Sequence, residues 1–163
     1  MKVHEIMHSG VRVCTQDDTL NTAARMMWDN DCGCVPVIAT DGDGVVIGMI
    51  SDRDICMAAY TQGKCLNDIP VAVAMAHSVL SCKPDDDLAL AEAMMREARI
   101  HRIPVVDKGG ALLGIVSLTD IARNALSLGD SRVALGTQAE IARTLAAIRE
   151  PRGRELQVMA QAA

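Results

Sequence analysis

Two stretches decide how this chain is read: Gly48-Met49-Ile50-Ser51-Asp52-Arg53-Asp54-Ile55 and Gly114-Ile115-Val116-Ser117-Leu118-Thr119-Asp120-Ile121. Each is an apolar run that stops at a serine, with an aspartate three residues further on and an amphipathic segment after it. The run predicts a buried strand, the serine a helix cap, and the aspartate a carboxylate in the first helical turn. A strand thus delivers a hydroxyl, a carboxylate and a helix N-terminus to one place, and does so twice.

The repetition extends outward. At an offset of 68 residues, Val3, Met7, Val11, Cys14, Asp17, Asp18, Leu20, Ala23, Met26, Met27, Pro36 and Val37 recur as Val71, Met75, Val79, Cys82, Asp85, Asp86, Leu88, Ala91, Met94, Met95, Pro104 and Val105. The offset then falls to 66, because the first hairpin loop is two residues longer, and Gly44, Gly48, Ser51, Asp54 and Ile55 match Gly110, Gly114, Ser117, Asp120 and Ile121. Matches this regular are an internal duplication.

Each unit reads as strand, helix, strand, strand, helix. A short strand near 11–14 (79–82) runs into an acidic turn, and a helix over 20–30 (88–98) carries the apolar stripe Leu20, Ala23, Ala24, Met26 and Met27. Strands at 35–39 (103–106) and 45–50 (111–116) flank the turns Asp41-Gly42-Asp43-Gly44 and Asp107-Lys108-Gly109-Gly110. Ile69 to Met75 stands before the second unit as Lys2 to Met7 stands before the first, and reads as its lead-in. Beyond Leu128-Gly129 the repeat is over. Thr137-Gln138-Ala139-Glu140 reads as a capping box opening a helix over 138–149, with Ile141, Ala142, Leu145 and Ile148 on one face. Pro151-Arg152-Gly153 ends that helix before a frayed tail. The units are therefore 1–62 and 63–129, with a helical extension over 130–163.

Composition narrows the function. The 163 residues are half apolar and 23% charged, as in a globular protein, yet include one Trp, one Tyr and no Phe. Few aromatic platforms exist on which bases could stack, and a net charge of −5 disfavours a phosphate-backbone partner. No apolar run is long enough to span a membrane and no signal core opens the chain, so a cytoplasmic location is expected. In a reducing cytosol Cys14, Cys32, Cys34, Cys56, Cys65 and Cys82 are free thiols acting as small hydrophobes. Cys32-Gly33-Cys34 lacks the second ligand pair of a zinc site. Asp41 to Gly44 lacks the third acidic ligand and the twelfth-position Glu of a calcium loop, since Val45 and Asp52 stand there instead. Neither stretch is read as a metal site. No nucleophile with a partner base emerges, so catalysis is not expected.

The chemistry of the duplicated stretch favours a sugar and an anion. Asp54 or Asp120 can accept two hydrogen bonds from a cis-diol, Ser51 or Ser117 supplies a hydroxyl, and the following helix N-terminus attracts anions. Arg53 adds a donor fork suited to phosphate. Taken singly, each serine reads as a cap and each aspartate as a first-turn charge; two copies at matched spacing shift the reading toward a ribose phosphate.

The duplicated order, the Pro-Val pairs at 36–37 and 104–105, and the doubled Gly-apolar-apolar-Ser-x-x-Asp resemble a tandem pair of cystathionine-β-synthase (CBS) domains, the Bateman module. The resemblance covers residues 3–127. It implies an α+β fold of two pseudo-symmetric β-α-β-β-α units packed through their sheets, with two clefts. It implies regulatory binding of an adenosine compound (AMP, ADP or ATP, with NAD or S-adenosylmethionine as further candidates), homodimerisation, and a separate effector protein. By the same resemblance, Asp54 and Asp120 hold ribose with Ser51 and Ser117 beside them. Adenine lies against Cys32, Gly33 and Cys34 in one unit and Ile100, His101 and Arg102 in the other. Val11, Arg12, Val79 and Leu80 enter from the first strands, Thr119 sits beside Asp120, and His101 and Arg102 take phosphate. Two departures stand out. His8 and Ala76 follow Met7 and Met75 where many nucleotide-binding members have Thr, and Gly33-Cys34 stands where the second unit has His101-Arg102. The clefts are expected to be unequal. The competing reading is a protein-interaction module without a ligand, or one sensitive to thiol oxidation through Cys32 and Cys34.

Overall fold

The computed structural model describes residues 1–127 and 132–150. A 3-10 turn at Val3–Glu5 precedes β1 (Cys14–Thr15), α1 (Leu20–Asp29), β2 (Cys34–Ile38), β3 (Val46–Ser51) and α2 (Asp52–Gln62). A second 3-10 turn (Leu66–Asp68) and the short α3 (Val71–Ala74) lead to α4 (Leu88–Ala98), β4 (Arg102–Val106), β5 (Leu112–Ser117) and α5 (Leu118–Ser127), and then α6 (Arg132–Arg149). The protein is α+β, as the repeat predicts. No helix among the described residues is long and apolar enough to cross a membrane.

The first sheet has order β1-β2-β3, with β1 parallel and β3 antiparallel to β2; the second is the antiparallel pair β4-β5. The entering strands are shorter than the spacing suggests. Residues 11–13 lie outside β1, and in the second unit a single parallel bridge, Cys82 to Val105, stands where 79–82 was expected. An acidic turn ends each entering strand. The Asp18 carboxylate accepts from the Thr15 amide at 2.7 Å, and Asp86 from the Lys83 amide at 2.8 Å, so the chain bends at once toward the helix.

Helices α1 and α4 bury the same stripe, Leu20, Ala23 and Met27 in one and Leu88, Ala91 and Met95 in the other. Spacing of three and four residues puts these side chains on one face, which packs against the sheet of its own unit. Cys14 and Cys82 are buried counterparts, with burial pushing their thiols up to about 12 and about 11.

The lead-in segments depart from the sequence reading, because each serves the other unit. Val3 is buried in the core built from Leu88, Met95, Ile103 and Val116, while Ile69, Val71 and Met75 are buried with Leu20, Val35 and Ile50. Backbone bonds hold the exchange: the Val3 amide donates to the Asp86 carbonyl at 3.0 Å, and the Val71 amide to the Asp18 carbonyl at 2.7 Å. The segment 69–75 therefore completes the first unit rather than opening the second. Further along, His8 pairs with Ile115 of β5 and Ala76 with Met49 of β3 as antiparallel bridges. This decides why glycine opens each motif. A β-carbon on Gly114 would lie 2.7 Å from the His8 carbonyl oxygen, and one on Gly48 would lie 3.2 Å from the Ala76 carbonyl oxygen. The two sheets meet where the Val46 amide donates to the Gly110 carbonyl (3.1 Å) and the Leu112 amide to the Gly44 carbonyl (3.0 Å).

Helix α6 packs on α4 and α5 and differs from its sequence reading in two ways. It starts at Arg132, so Thr137 lies inside the helix and the Thr137–Glu140 box does not open it. Its buried face is Ile141, Thr144 and Ile148, while Ala142 and Leu145 face outward. The cause is Glu92 of α4, a buried carboxylate that accepts from the Thr144 hydroxyl at 3.1 Å, so a polar residue turns inward where an apolar one was expected. Arg96 and Glu140 form an ion pair at 3.1 Å beside it. Leu128-Gly129, Pro151-Arg152-Gly153 and the tail lie outside the described residues.

Burial raises the Glu92 carboxyl above its ordinary range, against the Thr144 hydrogen bond. A raised acid favours the folded state while it is protonated, so the docking of α6 is firmest at acid pH and weakens as pH rises through the raised value. Glu92→Gln keeps the acceptor and removes the charge. It is expected to raise the melting temperature by roughly 2–4 °C at pH 7 and to bring no gain at pH 4. Thermal melts at both pH values check this, and a lower melting temperature at pH 7 would show that the ionised carboxylate supports the helix.

Candidate functional site

The end of β3 and the start of α2 build one platform, and the end of β5 and the start of α5 build its counterpart. In the first, the Ser51 hydroxyl and amide both donate to Asp54 Oδ2 (2.6 and 2.9 Å), and the Asp54 amide donates back to Ser51 Oγ at 3.3 Å. In the second, the Ser117 hydroxyl and amide donate to Asp120 Oδ2 (2.6 and 2.9 Å), with the Asp120 amide to Ser117 Oγ at 3.2 Å. Both are capping boxes with aspartate as the reciprocal acceptor. The four side chains are half-buried, so each carboxylate meets solvent at a helix N-terminus. Among the described residues every bond to Asp54 and Asp120 goes to Oδ2, leaving Oδ1 outside the cap.

Register carries the neighbouring wall to the platform. Cys34 lies opposite Ser51 across β2–β3, and Arg102 opposite Ser117 across β4–β5. The Asp52 amide donates to the Gly33 carbonyl at 3.1 Å, and its counterpart, the Leu118 amide, to the His101 carbonyl at 2.9 Å. Cys32, Gly33 and Cys34 are thereby brought to the first platform, and Ile100, His101 and Arg102 to the second. Arg53 and Thr119 sit exposed in the first helical turns. Val11, Arg12, Val79 and Leu80 lie in irregular chain before β1 and before the Cys82 bridge, not on strands.

The platforms match in backbone and differ in charge. Asp52 stands where the second unit has the buried Leu118, a difference between repeats that sequence comparison contains but that singled out no residue. The Asp52 carboxylate and the Arg102 guanidinium both flank Gly33: a β-carbon there would lie 3.2 Å from Asp52 Oδ2 and 4.0 Å from Arg102 Nη2. Arg102 therefore leaves its own repeat and reaches the wall of the first. Burial pushes the neighbouring Cys34 thiol up to about 11, against the pull of that guanidinium. Burial, with Arg149 and Arg102 nearby, lowers His101 below the usual imidazole range, so it is neutral at pH 7.

A cleft of about 720 Å³ opens between α1 and α2, lined by Ala24, Trp28, Cys32, Asp52, Cys56 and Leu66 among others. The corresponding face of the second unit is covered by α6. Among the described residues no three His, Cys, Asp or Glu side chains converge as a metal site requires.

Known proteins share this fold. The CBS domain profile matches residues 3–60 and 67–127. CBS domain-containing protein YhcV of Bacillus subtilis is 34% identical over 125 residues, spanning 77% of this chain and 86% of its own. A conserved CBS domain protein of Thermoplasma acidophilum, of unknown function, superposes with a TM-score of 0.73 at 28% identity, over 92% of this chain and 77% of that one. The CBS domain pair of protein MJ0100, in complex with 5′-methylthioadenosine and S-adenosyl-L-methionine, shares the fold with a TM-score of 0.69 at 24% identity, over 80% of this chain and 98% of its own. Profile, relatives and duplicated platforms agree that this chain belongs to the CBS-domain family and carries two copies of the domain in tandem.

Proposed function

We propose that this chain is a non-catalytic regulatory module that binds an adenosine compound of the AMP, ADP or ATP type beside its Ser–Asp platforms and passes occupancy to a separate protein. One observation carries the reading: two half-buried carboxylates, each oriented through Oδ2 by its own serine and each retaining an oxygen for a diol. The hydrogen bonds that fix the carboxylate are made before any ligand arrives, so a ribose meets an acceptor already in position. That MJ0100 holds adenosine compounds is consistent with such a use of the fold. The module pairs with a second copy through the α1–α2 face, where Trp28 is 87% and Tyr60 80% exposed. Occupancy acts on the partner by linkage, for which a coupling of about 1–3 kcal/mol is typical. The thiol-sensitive alternative finds less support, because a Cys34 thiol held at about 11 carries little thiolate at neutral pH.

A thermal-shift series with AMP, ADP, ATP, NAD and S-adenosylmethionine tests the reading. A ligand at 100 times its dissociation constant adds about 2.7 kcal/mol, or roughly 5–10 °C in a chain of this size. If none of the five at millimolar concentration moves the melting temperature, the chain is not an adenosine sensor.

A further inference from the structure

Helices α1 and α2 are the counterparts of α4 and α5, so the duplication gives each unit the same helical face. In the second unit α6 lies on that face, whereas in the first a groove of about 720 Å³ stands open between α1 and α2. We infer that α6 is the second unit's own substitute for a partner, so that the chain pairs through its first unit alone, with the groove between α1 and α2 completed by the partner's Trp28. The inference rests on the pairing through the α1–α2 face proposed above. It adds which unit pairs, which side chain fills the groove, and why the second unit stays outside the interface.

Three observations converge. The first is an exchange of residues between the two faces. On α4, Glu92 accepts from the Thr144 hydroxyl of α6 at 3.1 Å and Arg96 pairs with Glu140 of α6 at 3.1 Å. At the offset of 68 their counterparts on α1 are Ala24 and Trp28. The first face thus lacks both groups that hold α6 and offers apolar surface instead, which suits an apolar partner and not a helix with an inward polar residue. The second observation is self-fit. Small side chains, Ala24, Cys56 and Ala59, line the groove together with Trp28, which is 87% exposed. A bulky exposed side chain beside a groove of small ones is a surface that a twofold axis matches to itself, each copy supplying both parts. The third is charge. Arg25 and Asp29 flank Trp28 on α1, both exposed and 3.6 Å apart. Two copies of α1 crossing antiparallel about a twofold bring Arg25 of each toward the partner's Asp29, so the margin of the face is complementary to itself. A partner surface of one charge sign would meet repulsion from one of the two.

Trp28 is the only tryptophan in the chain, so its fluorescence reports the proposed contact directly. Sedimentation velocity of the full chain, with tryptophan emission recorded over the same concentrations, is expected to show a dimer whose formation moves the emission to shorter wavelength as the indole leaves water. Tyr60 on α2 and Leu126 on α5 are counterparts at the offset of 66, 80% and 71% exposed, so a charge at either enters no core. Tyr60→Glu is expected to weaken pairing about 30-fold or more and to return the emission to that of an exposed indole. Leu126→Glu is expected to leave the dimer and its emission as in the unsubstituted chain. If Leu126→Glu breaks the dimer as Tyr60→Glu does, or in its place, the second unit takes part and the inference is overturned while the pairing stands. A dimer that forms with no change in emission leaves Trp28 outside the interface and also overturns it. If the unsubstituted chain stays monomeric at every concentration, the pairing itself has failed and takes this inference with it.

Discussion

Gly114→Ala is expected to lower the melting temperature by several degrees, and more than Gly48→Ala does. The added methyl on Gly114 would stand 2.7 Å from the His8 carbonyl oxygen and 3.4 Å from its carbonyl carbon. That backbone is fixed by two bonds to Ile115, at 2.8 and 2.9 Å, so relief requires breaking the bridge between the lead-in and β5. Overpacking of this kind destabilises by about 1–3 kcal/mol, and each kcal/mol moves melting by roughly 2–4 °C at this size. At Gly48 the nearest atom, at 2.7 Å, is the sulfur of Met75, and the carbonyl of Ala76 is at 3.2 Å. A methionine side chain can swing aside, so the second substitution is the milder one. Thermal denaturation of both variants decides the matter; a Gly114→Ala protein that melts with wild type would mean the lead-in is not held against β5.

The second large effect concerns the ligand. Asp54→Asn together with Asp120→Asn is expected to weaken adenosine binding about 10-fold or more in each cleft while leaving the melting temperature close to wild type. Each carboxylate has two tasks. Oδ2 takes the serine bonds of the cap, and the charge on the group strengthens whatever bonds the diol donates. Asparagine retains an oxygen for the cap but removes the charge, and a hydrogen bond to a charged group is worth about 1.5–3 kcal/mol, or 10-fold and more in affinity per cleft. Alanine at either position removes the cap as well and should destabilise by about 0.5–2 kcal/mol besides. The Asn and Ala variants thus separate binding from folding. Titration with 2′-deoxyadenosine adds a control: lacking half the diol, it should bind weakly to wild type and be little affected by Asp54→Asn. Undiminished adenosine binding by the double Asn variant would contradict the assignment of these carboxylates to ribose.

Much of the fold is legible along the chain because its determinants are local. The stripe Leu88, Ala91, Met95 and the Ser117–Asp120 cap each lie within one or two helical turns, so spacing alone specifies them. The outward turn of Leu145 in α6 was not legible. Residue spacing shows that a helix has an apolar face, but which residues of that face are covered depends on the neighbour, and the neighbour here offers the Glu92 carboxylate, which draws in Thr144.

The same division runs through the candidate site. The sequence by itself determined the duplication, the α+β order of elements, and the pairing of Ser51 with Asp54 and Ser117 with Asp120, because each pair spans three residues and closes on its own backbone. Only the tertiary structure decided that Val3 and Val71 complete each other's units, that Gly48 and Gly114 are required by a neighbouring backbone, and that Arg102 reaches Gly33 of the other repeat. Those contacts join residues far apart in the chain, from 28 positions for Gly48 and Ala76 to 106 for Gly114 and His8, and nothing in local spacing records which of two equivalent units a segment will pack against. The choice follows from how the two sheets meet, which exists only once both units have folded.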